Sequence, residues 1–238
     1  MKRDQDYILK EYEKVWAFKK LFSAHRRKVL LRGRPATQSI LEDRRMLLKE
    51  FSEIIASMNP KLVLEAGCGN GAMTLALSIL HPEVCFEGLE LTDAGVKAAN
   101  NFLDNPSEQS EQLRWLTGVE GKPKAKFTQG NMLNLPYKDN SFDCVFTSMS
   151  IEQLPRDFPR AFQEIHRVTR KYAFFYEGFH EFNSLRQLVR RWKSDIFRGS
   201  INEVVKAGFN IIAWRESPID KIIYHDGFLI VKKLKKLK

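Results

Sequence analysis

The sequence predicts an α/β protein built on a mostly parallel β-sheet with one reversed strand, preceded by a helical N-terminal section. Three observations carry that expectation. From Lys61 onward short β-rich runs alternate with helical ones, and such alternation implies a parallel sheet covered on both faces. The run "FDCVFTSM", starting at Phe142, is apolar almost without a break, as suits a strand buried on both sides. Near the C-terminus, "FNIIAWRES" and "GFLIVKKL" are separated by too few residues for a long helix, so they should pair antiparallel.

Residues 1–58 read as helical. Ile8, Tyr12, Val15 and Phe18 or Leu21 recur at helical spacing, as do Leu41, Met46, Leu47, Phe51 and Ile55. Between them lies "SAHRRKVLLRGRPATQS", basic and broken by Gly33 and Pro35. Ser39 or Thr37 is placed to cap the second helix, and Pro60 ends it. Strands are expected at "KLVLEAG", "VCFEGLEL", "AKFTQGN", "FDCVFTSMS" and "YAFFYEG", with helices over 71–81, 92–104, about 156–169 and, loosely, 182–208. The segment "DNPSEQSEQLRWLTGVEGKPK" reads as a surface loop or a reach toward a partner. The expected organisation is an N-terminal helical cap over 1–58 and one sheet domain over 59–238.

With 238 residues and 43% hydrophobic content the chain can bury one full core. Charged residues make up 29%, and no apolar run approaches the roughly 18–20 residues that span a bilayer. The opening "MKRDQDYILKEYEK" is too charged for a signal peptide, so a cytoplasmic location is expected. Cys68, Cys85 and Cys144 are scattered and odd in number, which argues against a disulfide framework or a zinc site. His25, His81, His166, His180 and His225 show no metal-ligand spacing, and no metal is expected. The net charge of +10 points to anionic company: nucleic acid, a phosphorylated or carboxylated substrate, or a membrane surface. It serves solubility equally well.

The stretch "VLEAGCGNGAMTLAL" (Val63 to Leu77) packs three glycines into five residues between two apolar runs. A strand, a glycine-rich turn and a helix at the carboxyl edge of a sheet make a ligand crevice, where the lack of side chains lets backbone approach a ligand closely. Gly67, Gly69 and Ala72 fit a GxGxxG/A pattern, which alone serves a nicotinamide cofactor as well as others. Glu65 stands two positions before the first glycine, and Glu90 ends the next strand in "FEGLELT". An acid at the latter place can take both hydroxyls of a ribose, whether nicotinamide or adenosyl.

These motifs resemble the class I S-adenosylmethionine-dependent methyltransferases, in particular those with the methyltransferase domain 11 type of core. "VLEAGCGNG" is similar to the family's ExGxGxG signature, "FEGLELTDAGV" to its second strand with the ribose acid, and "FTQGNMLNLPYKDNSFDCVFTSMSIEQL" to its third-strand and fourth-strand block. "AFQEIHRV" resembles the helix before its fifth strand. The resemblance covers about residues 61–178. It implies a Rossmann-like, seven-stranded, mostly parallel sheet with one antiparallel strand, and S-adenosyl-L-methionine as cofactor. It also implies roles. Glu65 would sit near the methionine amino group, and the turn of Gly67, Cys68, Gly69 and Gly71 beneath sugar and methionine. Glu90 would bind the ribose, with Leu91 against adenine, Asn131 and Met132 at the adenine edge, and Ser148 near the methionine end. Two departures stand out. Asn131 occupies a position where the family commonly has Asp, and "VTRKYAFF" replaces its usual Lys-Pro-Gly-Gly turn.

A sulfonium is already an activated methyl donor, so alignment of acceptor and methyl is the main demand. A general base helps where the acceptor is a hydroxyl or protonated amine. Glu152 and Gln153, after the fourth strand, and Glu177, His180 and Glu181, after the fifth, are placed to supply contacts, with Glu152 and His180 the catalytic candidates. Cys68 reads as a small side chain tolerated in the turn. The basic stretch His25, Arg26, Arg27, Lys28, Arg32 and Arg34 suits an anionic acceptor closed beneath it. "RQLVRRWKSDIFR" interleaves Arg190, Arg191 and Lys193 with Trp192, compatible with nucleic acid or with a solvated helix face. No Asn/Asp-Pro-Pro-Tyr/Phe follows the fourth strand and no Pro-Cys pair occurs, which argues against base-amino and cytosine-carbon methylation. The leading expectation is methyl transfer to an oxygen or nitrogen of an anionic small-molecule or glycan acceptor. The alternatives are an RNA methyltransferase and a cofactor-binding inactive partner protein.

Overall fold

The computed structural model describes residues 3–16, 26–31, 34–220 and 225–234. Helix α1 (Gln5–Trp16) is followed by an antiparallel hairpin of β1 (Arg26–Leu31) and β2 (Arg34–Ser39), and then by the long helix α2 (Ile40–Met58). The hairpin corrects the all-helical reading of 1–58. Its edge strand β2 contains Pro35, whose missing N–H is tolerated only at an edge or bulge. His25 and Arg32 of the basic stretch lie outside the described residues.

Ser39 caps α2: its hydroxyl accepts from the Glu42 N–H while the Glu42 carboxylate accepts from the Ser39 N–H. At the other end Asn59 adopts the left-handed conformation (φ 45°) and Pro60 stops the helix. The main sheet then assembles from β3 (Leu62–Ala66), β4 (Cys85–Glu90), β5 (Ala125–Gln129), β6 (Phe142–Ser148), β7 (Thr169–Glu177), β8 (Phe209–Glu216) and β10 (Gly227–Lys233). Its seven strands run in the order β5-β4-β3-β6-β7-β10-β8, and β10 alone is reversed, pairing antiparallel with β7 and β8. The short β9 (Ile219–Asp220) joins the hairpin in a separate small sheet.

Helices α3 (Ala72–Leu80), α4 (Asp93–Asp104), α5 (Pro106–Thr117), α6 (Phe158–Val168), α7 (Leu185–Lys193) and α8 (Asn202–Lys206) complete the chain. α5 replaces the surface loop expected there. It begins at Pro106 and ends on the left-handed Gly118 (φ 75°), and among its described side chains Leu113 and Leu116 are buried; the sequence PSEQSEQLRWLT holds too few apolar residues for its period to stand out.

The central strands are buried on both faces with a period of two. On β6, Cys144 and Phe146 face one core while Val145 faces the other; on β7, Phe174 and Tyr176 alternate with Ala173 and Phe175. The first core is covered by α2, α3 and α5. Phe51 of α2 is its hub, with ring centroids 5.4–5.9 Å from Phe146, Phe174, Tyr176 and Phe228. α2 is therefore integral to the sheet packing, whereas α1 lies across the carboxyl edge of the strands.

Candidate active site

At the carboxyl ends of β3, β4 and β6 lies a cavity of about 910 Å³. Its floor is the turn between β3 and α3. Gly67, Gly69 and Gly71 all take positive φ (80°, 55° and 74°), which side-chain-bearing residues rarely adopt. A Cβ at Gly67 would lie 2.5 Å from the Ser150 Cβ, and one at Gly69 2.5 Å from the Trp16 ring. Gly71 differs from the expectation: it is absent from the cavity lining, and its missing side chain makes room for Phe127 and Ala99. Cys68 lines the cavity but is buried, and burial holds its thiol well above the ordinary range, so it stays a neutral packing group.

Glu90 ties the turn to the next helix. Its Oε2 accepts from the Gly69 N–H at 3.0 Å, and its Oε1 accepts from the Thr92 N–H (3.0 Å) and hydroxyl (2.8 Å). Three of roughly four acceptor positions on the carboxylate are thus filled. A diol binding there takes the open position on Oε2 and exchanges with one of the Thr92 bonds. Leu91 lines the same wall.

Glu65 is buried at the opposite end, accepting a hydrogen bond from the Thr74 hydroxyl. Burial raises its pKa to about 7 even though Thr74 and Arg44 favour the carboxylate. Arg44, unanticipated from sequence, reaches in from α2 and donates to the Ser148 hydroxyl at 3.4 Å. Glu65 and Arg44 together present an acid and a guanidinium to one end of the cavity, the complement of an α-amino acid zwitterion. A carboxyl raised in the folded state favours folding most when protonated. Its contribution is intact below about 4.5 and declines as pH climbs to about 7. Glu65→Gln is therefore expected to gain up to about 3 kcal/mol on the wild type between pH 5 and pH 8. Denaturant melts of both proteins at the two values check this, and parallel pH profiles would refute it.

Asn131 and Met132 line the cavity as expected, but the Asn131 amide is engaged within the protein. Its Oδ1 accepts from the Leu133 N–H at 2.8 Å, and its Nδ2 donates to Gln5 of α1 at 3.1 Å. The Glu13 carboxylate, also on α1, accepts from the N–H groups of Asp93 and Ala94 at 2.9 and 3.1 Å, capping the start of α4. α1 is thereby held over the cavity and contributes Ile8, Tyr12, Val15 and Trp16 to its wall.

The loop after β6 closes the far side. Met149 takes φ 58°, a sparsely populated conformation for a methionine. Glu177 fixes this loop, its carboxyl oxygens accepting from the N–H groups of Ser150, Ile151 and Glu152 at 3.1–3.2 Å. Burial pushes the Glu177 pKa to about 8. Glu152 lines the cavity and lies 3.8 Å from Arg191 of α7, a fully buried arginine whose Nε donates to the Phe197 carbonyl at 2.6 Å. Asp226 is 4.0 Å from the same guanidinium. Gly178 admits the group, since any Cβ there would overlap Arg191. His180, by contrast, is exposed on a short turn and is absent from the cavity lining, so the structure does not bring it to Glu152's side of the site. Of the other residues weighed, Gln153 lines the cavity and the Glu181 carboxylate instead accepts from the Ser200 hydroxyl and the Ile201 N–H. Among the described residues no group of three or more His, Cys, Asp or Glu is arranged to hold a metal.

The site therefore offers a glycine cradle, a carboxylate tied to it, an acid and a guanidinium at the other end and a largely apolar wall, a set whose chemistry is complementary to an adenosyl amino acid. Comparison with known proteins agrees. Residues 64–176 match the methyltransferase domain profile. Demethylmenaquinone methyltransferase of Geobacillus stearothermophilus is 31% identical over 136 residues, 56% of this chain and 51% of that protein. Phthiotriol/phenolphthiotriol dimycocerosates methyltransferase of Mycobacterium leprae (strain TN) is 31% identical over 115 residues, 48% of this chain and 36% of that protein. The chain thus spans about half or less of these curated relatives. Among solved structures, a SAM-dependent methyltransferase from Methanosarcina mazei superposes with a TM-score of 0.58 at 18% identity, covering 74% of this chain and 93% of that one.

Proposed function

We propose that the chain, whose residues 64–176 match the methyltransferase domain family, transfers the methyl group of S-adenosylmethionine to an oxygen or nitrogen of a small acceptor with a largely apolar body. The observation that carries this reading is the composition of the cavity wall supplied by α1, α2 and the segment after β6: Ile8, Tyr12, Val15, Ile40, Met149 and Leu154. A saccharide would need a row of hydrogen-bonding side chains there. Lipophilic acceptors also stand in the names of the relatives from Geobacillus and Mycobacterium. Arg44, the cation in the described lining, is matched to the cofactor's carboxylate, so the anionic character expected of the acceptor gains no support from the cavity.

The bound cofactor supplies an electrophilic methyl on a sulfonium, and the protein's task is alignment. Glu65 and Arg44 hold the amino acid end, Glu90 the ribose, and the positive-φ turn lets backbone lie against both. Glu152 accepts a hydrogen bond from the acceptor's O–H or N–H and aims its lone pair at the methyl. α1 and the Met149 loop exclude water. Glu90→Ala is expected to weaken S-adenosylmethionine binding by about 1.5–3 kcal/mol, the range for a hydrogen bond to a charged group. Calorimetric titration measures it, and a loss of a few tenths would move the ribose away from Glu90.

The function itself is tested by incubating the protein with methyl-labelled S-adenosylmethionine and a cell extract, then separating organic-soluble, RNA and protein fractions. Label in the organic-soluble fraction is the expected result. Label confined to RNA would replace the small acceptor with a nucleic acid.

A further inference from the structure

α7 is built inside out. Its one fully buried side chain is Arg191, while Leu185, Val189 and Trp192 are 78%, 45% and 63% exposed. An ordinary surface helix turns its apolar stripe to the core. Here the apolar residues recur at i, i+4 and i+7 along the outer face, and core packing does not explain them. The residue after each is a cation, Arg186, Arg190 and Lys193, all exposed. The outward arc is therefore two parallel stripes, one apolar and one basic, and the helix contains no acidic residue. Ser184 and Gln187 form a capping box that fixes the helix start. Just before it, Phe182 packs against Trp214, itself 52% exposed, at 5.7 Å.

We propose that α7 is a docking helix for the surface of an anionic lipid bilayer. The chemistry of the two stripes matches the two layers of that surface. Cations meet anionic headgroups, and leucine, valine and tryptophan enter the boundary between headgroup and acyl chain. Charge complementarity favours this occupant, since the chain carries +10 overall and the three cations of the helix have no acidic residue among them. RNA fits less well: stacking needs ring faces, and Leu185 and Val189 offer none. Among the described residues no helix is long and apolar enough to cross a membrane, so the contact is peripheral. The inner side of the same helix carries Arg191 to within 3.8 Å of Glu152, so the docking face lies one ion pair behind the cavity wall. The proposal goes beyond the acceptor reading above and stands without it.

The test is sedimentation of the full chain with vesicles of phosphatidylcholine alone and of phosphatidylcholine mixed with phosphatidylglycerol. Two variants are compared with the wild type: Leu185→Ser/Val189→Ser/Trp192→Ser and Arg186→Gln/Arg190→Gln/Lys193→Gln. All six side chains are exposed, and calorimetric binding of S-adenosylmethionine reports that both variants remain folded. The wild type is expected to sediment with the phosphatidylglycerol vesicles. Removing the three cations should lower partitioning by about a hundredfold, at about fivefold per cation near the surface. The apolar variant should lose binding by at least about tenfold. The proposal is overturned if the wild type ignores anionic vesicles, or if the apolar variant binds them unchanged. It is equally overturned if a single-stranded RNA competes for binding that the serine variant retains, which would make α7 a nucleic-acid surface.

Discussion

Gly69→Val is expected to reduce S-adenosylmethionine affinity by at least about a hundredfold while the sheet stays folded. Gly69 sits at φ 55°, a conformation that costs a β-branched residue on the order of 1–3 kcal/mol. Its Cβ would lie 2.5 Å from the Trp16 ring, so α1 must shift from the cavity. Any relief of the backbone also breaks the 3.0 Å bond from the Gly69 N–H to Glu90, and with it the placement of the ribose acid. The damage stays local because the three atoms nearest to a Cβ here all belong to Trp16 of α1 and none to the sheet. Calorimetric titration with the cofactor, alongside circular dichroism, reads both halves of the prediction. Unchanged affinity in a folded variant would remove the turn from the cofactor site.

Arg191→Leu is the second large effect, and it falls on stability. The guanidinium is fully buried between Glu152 and Asp226 and donates to the Phe197 carbonyl. Leucine restores some volume but leaves two buried carboxylates without their cation. Breaking a buried pair in this way costs about 3–5 kcal/mol. At roughly 2–4 °C per kcal/mol for a chain of this size, the melting temperature should fall by about 6–20 °C. A drop under about 2 °C would show that water, not Arg191, compensates the two acids.

The sheet was legible because its strands advertise themselves: β3, β6 and β7 are apolar on both faces, and the reversed β10 follows from the short link to β8. The glycine turn, Glu65 and Glu90 were legible because one short stretch of chain carries each. What escaped depends on contacts distant in sequence. Arg44 and Ser148 meet across 104 residues, and nothing around Arg44 marks it apart from the other cations of α2. Arg191 sits in the run Arg190-Arg191-Trp192-Lys193, where only the angle of the helix distinguishes the buried arginine from its exposed neighbours. His180 attracted notice because a histidine after the fifth strand can serve as a base, a property of the residue type, while its location is a property of the fold. The hairpin of β1 and β2 was hidden because its stretch read as a basic break between two helices, Pro35 included, when Pro35 lies on the edge strand of a small sheet.

The placement of α2 has a practical consequence for dissecting this chain. One helix supplies Phe51, the aromatic hub beneath β6, β7 and β10, and Arg44, which enters the cavity beside Ser148. A fragment trimmed to begin at the first glycine-turn strand would open the face of its own sheet to solvent and lose its guanidinium in one cut. The smallest piece that keeps that face covered and the guanidinium in place therefore starts at the Ser39 cap and not at Lys61.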